Sequence, residues 1–152
     1  MTSIAVDATP DRSTTPNCGV DPLPSPEAWL AAAAYHGELF APLDLGVRIA
    51  LLARSSPTQM LVWEAGNAGI DAQFEAFAGY TASGADIVLA ADRESLLEVC
   101  SAVTERLFEV LRAGIRSGHI VCYVLKRRCV LEERGLDELL DALGFAFMGA
   151  CR

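Results

Sequence analysis

The sequence predicts an α+β fold: an antiparallel sheet of about four to six strands packed against one long helix at about 92–115, with two shorter helices. Three observations carry that reading. Leu96, Val99, Cys100, Val103, Leu107, Val110 and Leu111 recur at the spacing of one helical face. Apolar windows at 47–53, 60–63 and 84–91 are strand-length and bounded by charged or turn residues. The 152 residues suffice for one core but not for two of ordinary size.

The elements follow in order. Residues 1–24 hold Pro10, Pro16, Pro22 and Pro24 among Ser, Thr, Asp and Asn, with little apolar periodicity. Such a stretch cannot bury enough to offset its ordering entropy, so it reads as a flexible arm before a single domain at 25–152. Ser25, Pro26 and Glu27 form a helix start: a side-chain cap, a proline at the first helical position and an acid at the positive end of the dipole. This helix runs to about Phe40, with bulk from Trp29, Leu30 and Leu39 and with alanines 31–34 permitting close approach of a neighbour.

Windows 47–53 and 60–63 read as two antiparallel strands joined through Ser55, Ser56 and Pro57, the second broken by Gly66, Asn67 and Gly69. In 71–80, Phe74, Phe77 and Tyr80 fall three apart, which fits a short helix, with a further edge strand as the alternative. Window 84–91 is a buried strand, and Asp92 caps the long helix. Arg112 and Arg116 favour that helix's C-terminal end, and Gly114 or Gly118 closes it. Residues 120–125 are a strand returning through Lys126 and Arg127 to Cys129, Val130 and Leu131. A continuous helix is the alternative there, because the turn holds no Gly or Asn to take positive φ. Residues 136–143 form a short amphipathic helix ending at Gly144, and 145–148 add a last strand.

Charge narrows the partners. A net charge of −8 and a pI near 4.7 argue against tracking nucleic-acid phosphates, which requires Lys and Arg. Hydrophobic residues make up 52 % of the chain, yet no run of about 20 apolar residues spans a membrane. No basic region followed by an apolar one opens the sequence, so a cytoplasmic location is expected. The basic run Lys126, Arg127 and Arg128, flanked by Glu132, Glu133, Asp137, Glu138 and Asp141, reads as a solvated turn.

Spacings that would compel a chemistry are missing. Five cysteines without a secretion signal point to reduced thiols. His119, Cys122, Cys129 and Cys151 are the sharpest metal or redox candidates, since zinc needs about four such ligands. A strand would turn His119 and Cys122 to opposite faces, however, and no CxxC is present, so buried small hydrophobes are the expected role. His36 and Glu38, two apart on a helix, do not face each other. Ser55, Ser56 and Ser83 lack a GxSxG context, and Gly79 to Gly84 is followed by Ala85 and Asp86 where a phosphate loop needs Lys and Ser or Thr. Neither catalytic residues nor a cofactor or metal are assigned.

Apolar content exceeds what a modest core needs, and exposed aromatic patches usually mark partners, a homodimer being the commonest cover. The expected partner-binding residues are Val47, Ile49, Leu51, Leu61, Trp63, Phe74 and Phe77. The order of one helix, several strands, a long helix, two strands and a short helix, with the size and acidity, resembles small export chaperones of secretion systems. That resemblance of element order implies a sheet face that captures an apolar or strand-forming partner segment, through β-augmentation. The expected function is therefore a non-catalytic protein-binding adaptor or chaperone-like protein. The alternatives are a small thiol or histidine metal-binding or redox protein, and a structural subunit of a larger assembly.

Overall fold

A computed structural model describes residues 22–55 and 57–145. The N-terminal arm up to residue 21, Ser56, Cys151 and the last strand expected over 146–148 lie outside these residues. Helices α1 (Pro26–Tyr35) and α2 (Gly37–Phe40) precede strands β1 (Arg48–Ala53), β2 (Gln59–Gly66), β3 (Gly69–Ala76) and β4 (Ile87–Ala91). Then come α3 (Arg93–Ala102), α4 (Leu107–Ser117), β5 (Ile120–Val124), α5 (Arg128–Glu133) and α6 (Asp137–Ala142). The α+β class is as the sequence predicts. No helix among the described residues is long and apolar enough to cross a membrane.

The five strands form one sheet in the order β3-β2-β1-β4-β5. It is mixed rather than antiparallel: β1 and β4 run parallel, with Ala50 opposite Val88, and the other pairs are antiparallel. The central strands are buried on both faces, which is why their windows read as continuous hydrophobic runs. Ile49, Leu51, Leu61, Trp63, Ile87 and Leu89 face a core shared with the helices. Ala50, Leu52, Met60, Val62, Val88 and Ala90 form a second cluster on the opposite face. β1, β3 and β4 all point one way, so the chain must travel back along the sheet between Ala76 and Ile87. It does so as a strap whose Phe77 and Tyr80 pack on that second cluster.

Residues 71–80, open between helix and strand in the sequence, resolve as strand through Ala76, with the Asn67–Ala68 turn joining the Gly66 and Gly69 pair. The long helix is corrected to two. Val103 leaves helical geometry at φ −71 and ψ 62, and Thr104 N bonds back to Ala102 O at 2.7 Å. Two adjacent β-branched residues weaken the helix there. His36 exploits the break, its Nε2 donating to Thr104 O at 2.6 Å. The helix expected to run to Phe40 is itself interrupted at this histidine. The hairpin expected after residue 125 is also corrected: β5 ends at Val124 and the chain enters α5, which turns Leu131 into the core. Without a positive-φ residue the Lys126–Arg127 segment has no tight turn to make.

Two contacts set how α1, α2 and α5 sit. Trp29 of α1 stacks on Trp63 of β2 at 3.9 Å and 6°, and Trp63 Nε1 donates to Trp29 O at 2.6 Å. Gly135 (φ +84), just after α5, admits the loop that follows α2: a Cβ there would stand 2.0 Å from Pro42 O. Gly135→Ala combines left-handed strain with a backbone clash, so chemical denaturation should show a loss of about 2–4 kcal/mol. The tryptophans should differ. Trp29 Nε1 is buried with no hydrogen-bond partner, whereas Trp63 Nε1 has one. Trp63→Phe should therefore destabilise the chain by about 1 kcal/mol more than Trp29→Phe in the same unfolding experiment.

Candidate functional site: an apolar groove at the sheet edge

The site begins with what α1 and the β2–β3 hairpin lack. Alanine and glycine leave space where larger side chains would fill it, and this region is built from them. Ala32 and Ala33 let α1 sit close on the sheet, Ala34 is exposed, Gly37 joins the two helices, and Gly66 and Gly69 flank the hairpin turn. The result is a groove of about 420 Å³ with Leu30, Ala34 and Phe40 on one wall and Ala65, Gly69 and Ile70 on the other. That is within the range of ligand-binding clefts, roughly 300–1,000 Å³.

β3, the outer strand of the sheet, borders this groove with its first residues, Gly69 and Ile70. Its helix-side residues Ile70, Ala72 and Phe74 pair with Ala65, Trp63 and Leu61 of β2. Phe74 and Leu30 are each 39 % exposed, a substantial fraction for large apolar side chains. On the opposite side, Gln73 and Glu75 meet a polar node. Arg48 donates from Nη1 to Glu64 at 2.7 Å and to Glu75 at 3.0 Å, from Nη2 also to Glu75, and from Nη2 to Ser83 O at 3.3 Å. Gln73 Nε2 adds a bond to Glu75 at 2.7 Å. The guanidinium thus ties β1 to β2, to the outer strand β3 and to the strap.

Asp86 completes the node. Nearly fully buried, it accepts from Arg48 N at 2.9 Å and lies 3.4 Å from both Arg134 Nη2 and Lys126 Nζ. Its place after Gly84, unsuited to a phosphate, suits this cross-link of β1, α5 and the turn before it.

The expected partner-binding residues divide sharply. Val47, Ile49, Leu51, Leu61 and Trp63 are at most 1 % exposed, so in the folded chain they build the core. The sequence pattern marked them as apolar and strand-like without revealing that six helices cover that face. Phe77 is half-buried in the strap, and Phe74 alone remains at an accessible edge. Sequence reasoning missed the groove itself; its signal is the coincidence of alanines 31–34 with the glycines around Asn67.

The histidines and cysteines do not converge. His119 Nδ1 donates to Asp92 Oδ2 at 2.6 Å, while Asp92 Oδ1 caps α3 through Ser95 N at 2.9 Å. Cys122 is half-buried, with its thiol pushed up to about 12 by burial, and burial also raises Cys100, so neither is a ready thiolate at neutral pH. Cys129 is disulfide-bonded, which corrects the expectation that all the thiols are reduced. Among the described residues no three His, Cys, Asp or Glu side chains gather as a metal site would require. Ser83 is a turn residue, its Oγ bonded to Tyr80 O at 2.7 Å and accepting from Ala85 N.

Compared with known proteins, the chain matches no family model, and no curated protein matches it in sequence.

The carboxylates of this region set an acid limit. Bonds from Arg48 hold the Glu75 carboxyl below its usual range, and the Ser95 amide, followed by His119, does the same for Asp92. A carboxylate depressed in the fold contributes stability above its unfolded pKa, about 4, and loses it as pH falls through the folded value. Stability should accordingly drop below about pH 4. In urea titrations Glu75→Gln should be less stable than the parent near neutrality and should lose less of its stability on acidification.

Proposed function

We propose that the protein is a non-catalytic binding protein, an adaptor or dedicated chaperone, that holds an apolar segment of another protein in the groove between α1–α2 and the β2–β3 hairpin. One observation carries this reading: an apolar cleft of about 420 Å³ lies beside the outer strand of the sheet. Edge strands are commonly blunted by proline, lysine, bulges or a covering element. β3 contains neither proline nor lysine, and its helix-side residues end in the exposed Phe74. An extended segment laid along it would gain main-chain hydrogen bonds from β3 and bury side chains against Leu30 and Ile70.

The captured surface differs from the one expected from sequence. It is the margin of the sheet, with Phe74 as the surviving member of that set. A homodimer is the competing way to cover this margin. Filling the groove tests the reading. Ala34→Trp places a large ring at an exposed helix position, where surface substitutions usually change stability by less than about 0.5 kcal/mol. It should abolish binding of short apolar peptides in fluorescence anisotropy while leaving the melting temperature nearly unchanged. Unaltered peptide binding by this variant would contradict the proposal.

A further inference from the structure

Resting on the groove reading above, we propose that its occupant is a partner segment of alternating apolar and basic residues, added as a strand to the outer edge of β3. The inference comes from charge and register together.

Between residues 13 and 91 the chain contains two cations, Arg48 and Arg54. The guanidinium of Arg48 is taken up by Glu64 and Glu75, and Arg54 bonds Gly118 O at 3.1 Å, away from the groove. α1, α2, the loop after them and the β2–β3 hairpin carry Glu27, Glu38, Asp44 and Asp71, besides the Glu64 and Glu75 paired with Arg48, with no lysine or arginine among them; none of the four lines the cleft itself, but each lies within three residues of one that does. None of these four acids makes an ion pair among the described residues. The remaining cations, Arg12 aside, all follow residue 92. This margin is therefore acidic in a protein that is acidic overall, and a cationic segment would be steered to it.

Register sets the alternation. Cross-strand neighbours share a face, so the sides of β3 dictate what an added strand presents to each. Ile70 and Phe74 lie on the helix side with Leu30 close by, and they call for apolar side chains. Asp71 lies on the other side, where lysine or arginine complements it, beside Gln73 and Glu75, which are already held with Arg48. A second copy of the chain fits less well. Pairing β3 with itself along its whole length sets Asp71 against Phe74 and Ile70 against Glu75, and recentring on Gln73 sets Asp71 against Glu75. The chain's own first 21 residues hold one arginine against three aspartates and also lack the pattern.

The test uses the full chain and three short fluorescein-labelled peptides in which leucine alternates with lysine, serine or glutamate. In low salt the leucine–lysine peptide should bind about three- to tenfold tighter than leucine–serine, the range expected for a few exposed charge pairs, and leucine–glutamate should bind weakest. The preference should fade near 0.5 M salt, at roughly which concentration screening is short-ranged. Asp71→Asn and Asp71→Lys should each reduce the preference for lysine while sparing leucine–serine binding. Glu133→Gln on α5 should leave it intact, which separates a local effect from attraction to the overall charge. Equal binding of the lysine and serine peptides, both lost in Ala34→Trp, would overturn the basic preference and leave the groove standing. Binding that Ala34→Trp does not affect, or no binding at all, would overturn the groove reading and this proposal with it.

Discussion

The stack of Trp29 on Trp63 is the contact on which the arrangement depends. Each ring is fully or almost fully buried, and such rings bury roughly 150–250 Å² apiece, so together they provide one of the largest apolar contacts between α1 and the sheet. The bond from Trp63 Nε1 to a carbonyl of α1 fixes how the helix sits as well as how closely. Phe40 meets the edge of the Trp63 ring and Phe108 stacks over it, extending the cluster to α2 and α4. α1 is thereby held at the sheet margin, and its short side chains open a groove there instead of closing one.

The opposite face is governed by polar chemistry. Arg48 and Asp86 sit side by side where β1 and β4 begin, and between them they hold β2, β3, the strap and the turn before α5. Breaking one partner of such a partly buried network leaves the others uncompensated, so it specifies where the strap lies more than it adds net stability. For the groove this matters because Glu75 belongs to the outer strand. The node ties β3 back to β1 across β2 and leaves its outer edge without a strand partner among the described residues.

Much of the architecture was legible in local signals. Ser25 and Asp92 cap helices through the amides three residues on, as their positions foretold. Gly118 closes α4 in the left-handed region, and the strand windows at 47–53, 60–63 and 84–91 all formed. What failed were features decided by distant partners. The helical periodicity of 92–115 is real, yet Thr104 O bonds His36 from a helix far back in the chain, and periodicity cannot report a break of that origin. The parallel pairing of β1 with β4 depends on a strap crossing the sheet, which no residue pattern announced. Burial misled the site reading for the same reason: Leu61 and Trp63 resemble an exposed sheet face until α1 and α4 are placed over them. The scarcity of cations before residue 92 was visible as composition, but only the fold shows that α1, α2 and the β2–β3 hairpin, which carry none, meet at one groove.

The central claim is that binding occurs at this margin of the sheet. The most direct measurement is the amide NMR spectrum of the isotopically labelled full chain during titration with the alternating leucine–lysine peptide. The account predicts that shifts concentrate in α1, α2 and the β2–β3 hairpin, with amides along β3 gaining protection from exchange. Shifts centred instead on the other edge, at Tyr123 and Val124 of β5, or spread without focus over the acidic surface, would contradict it.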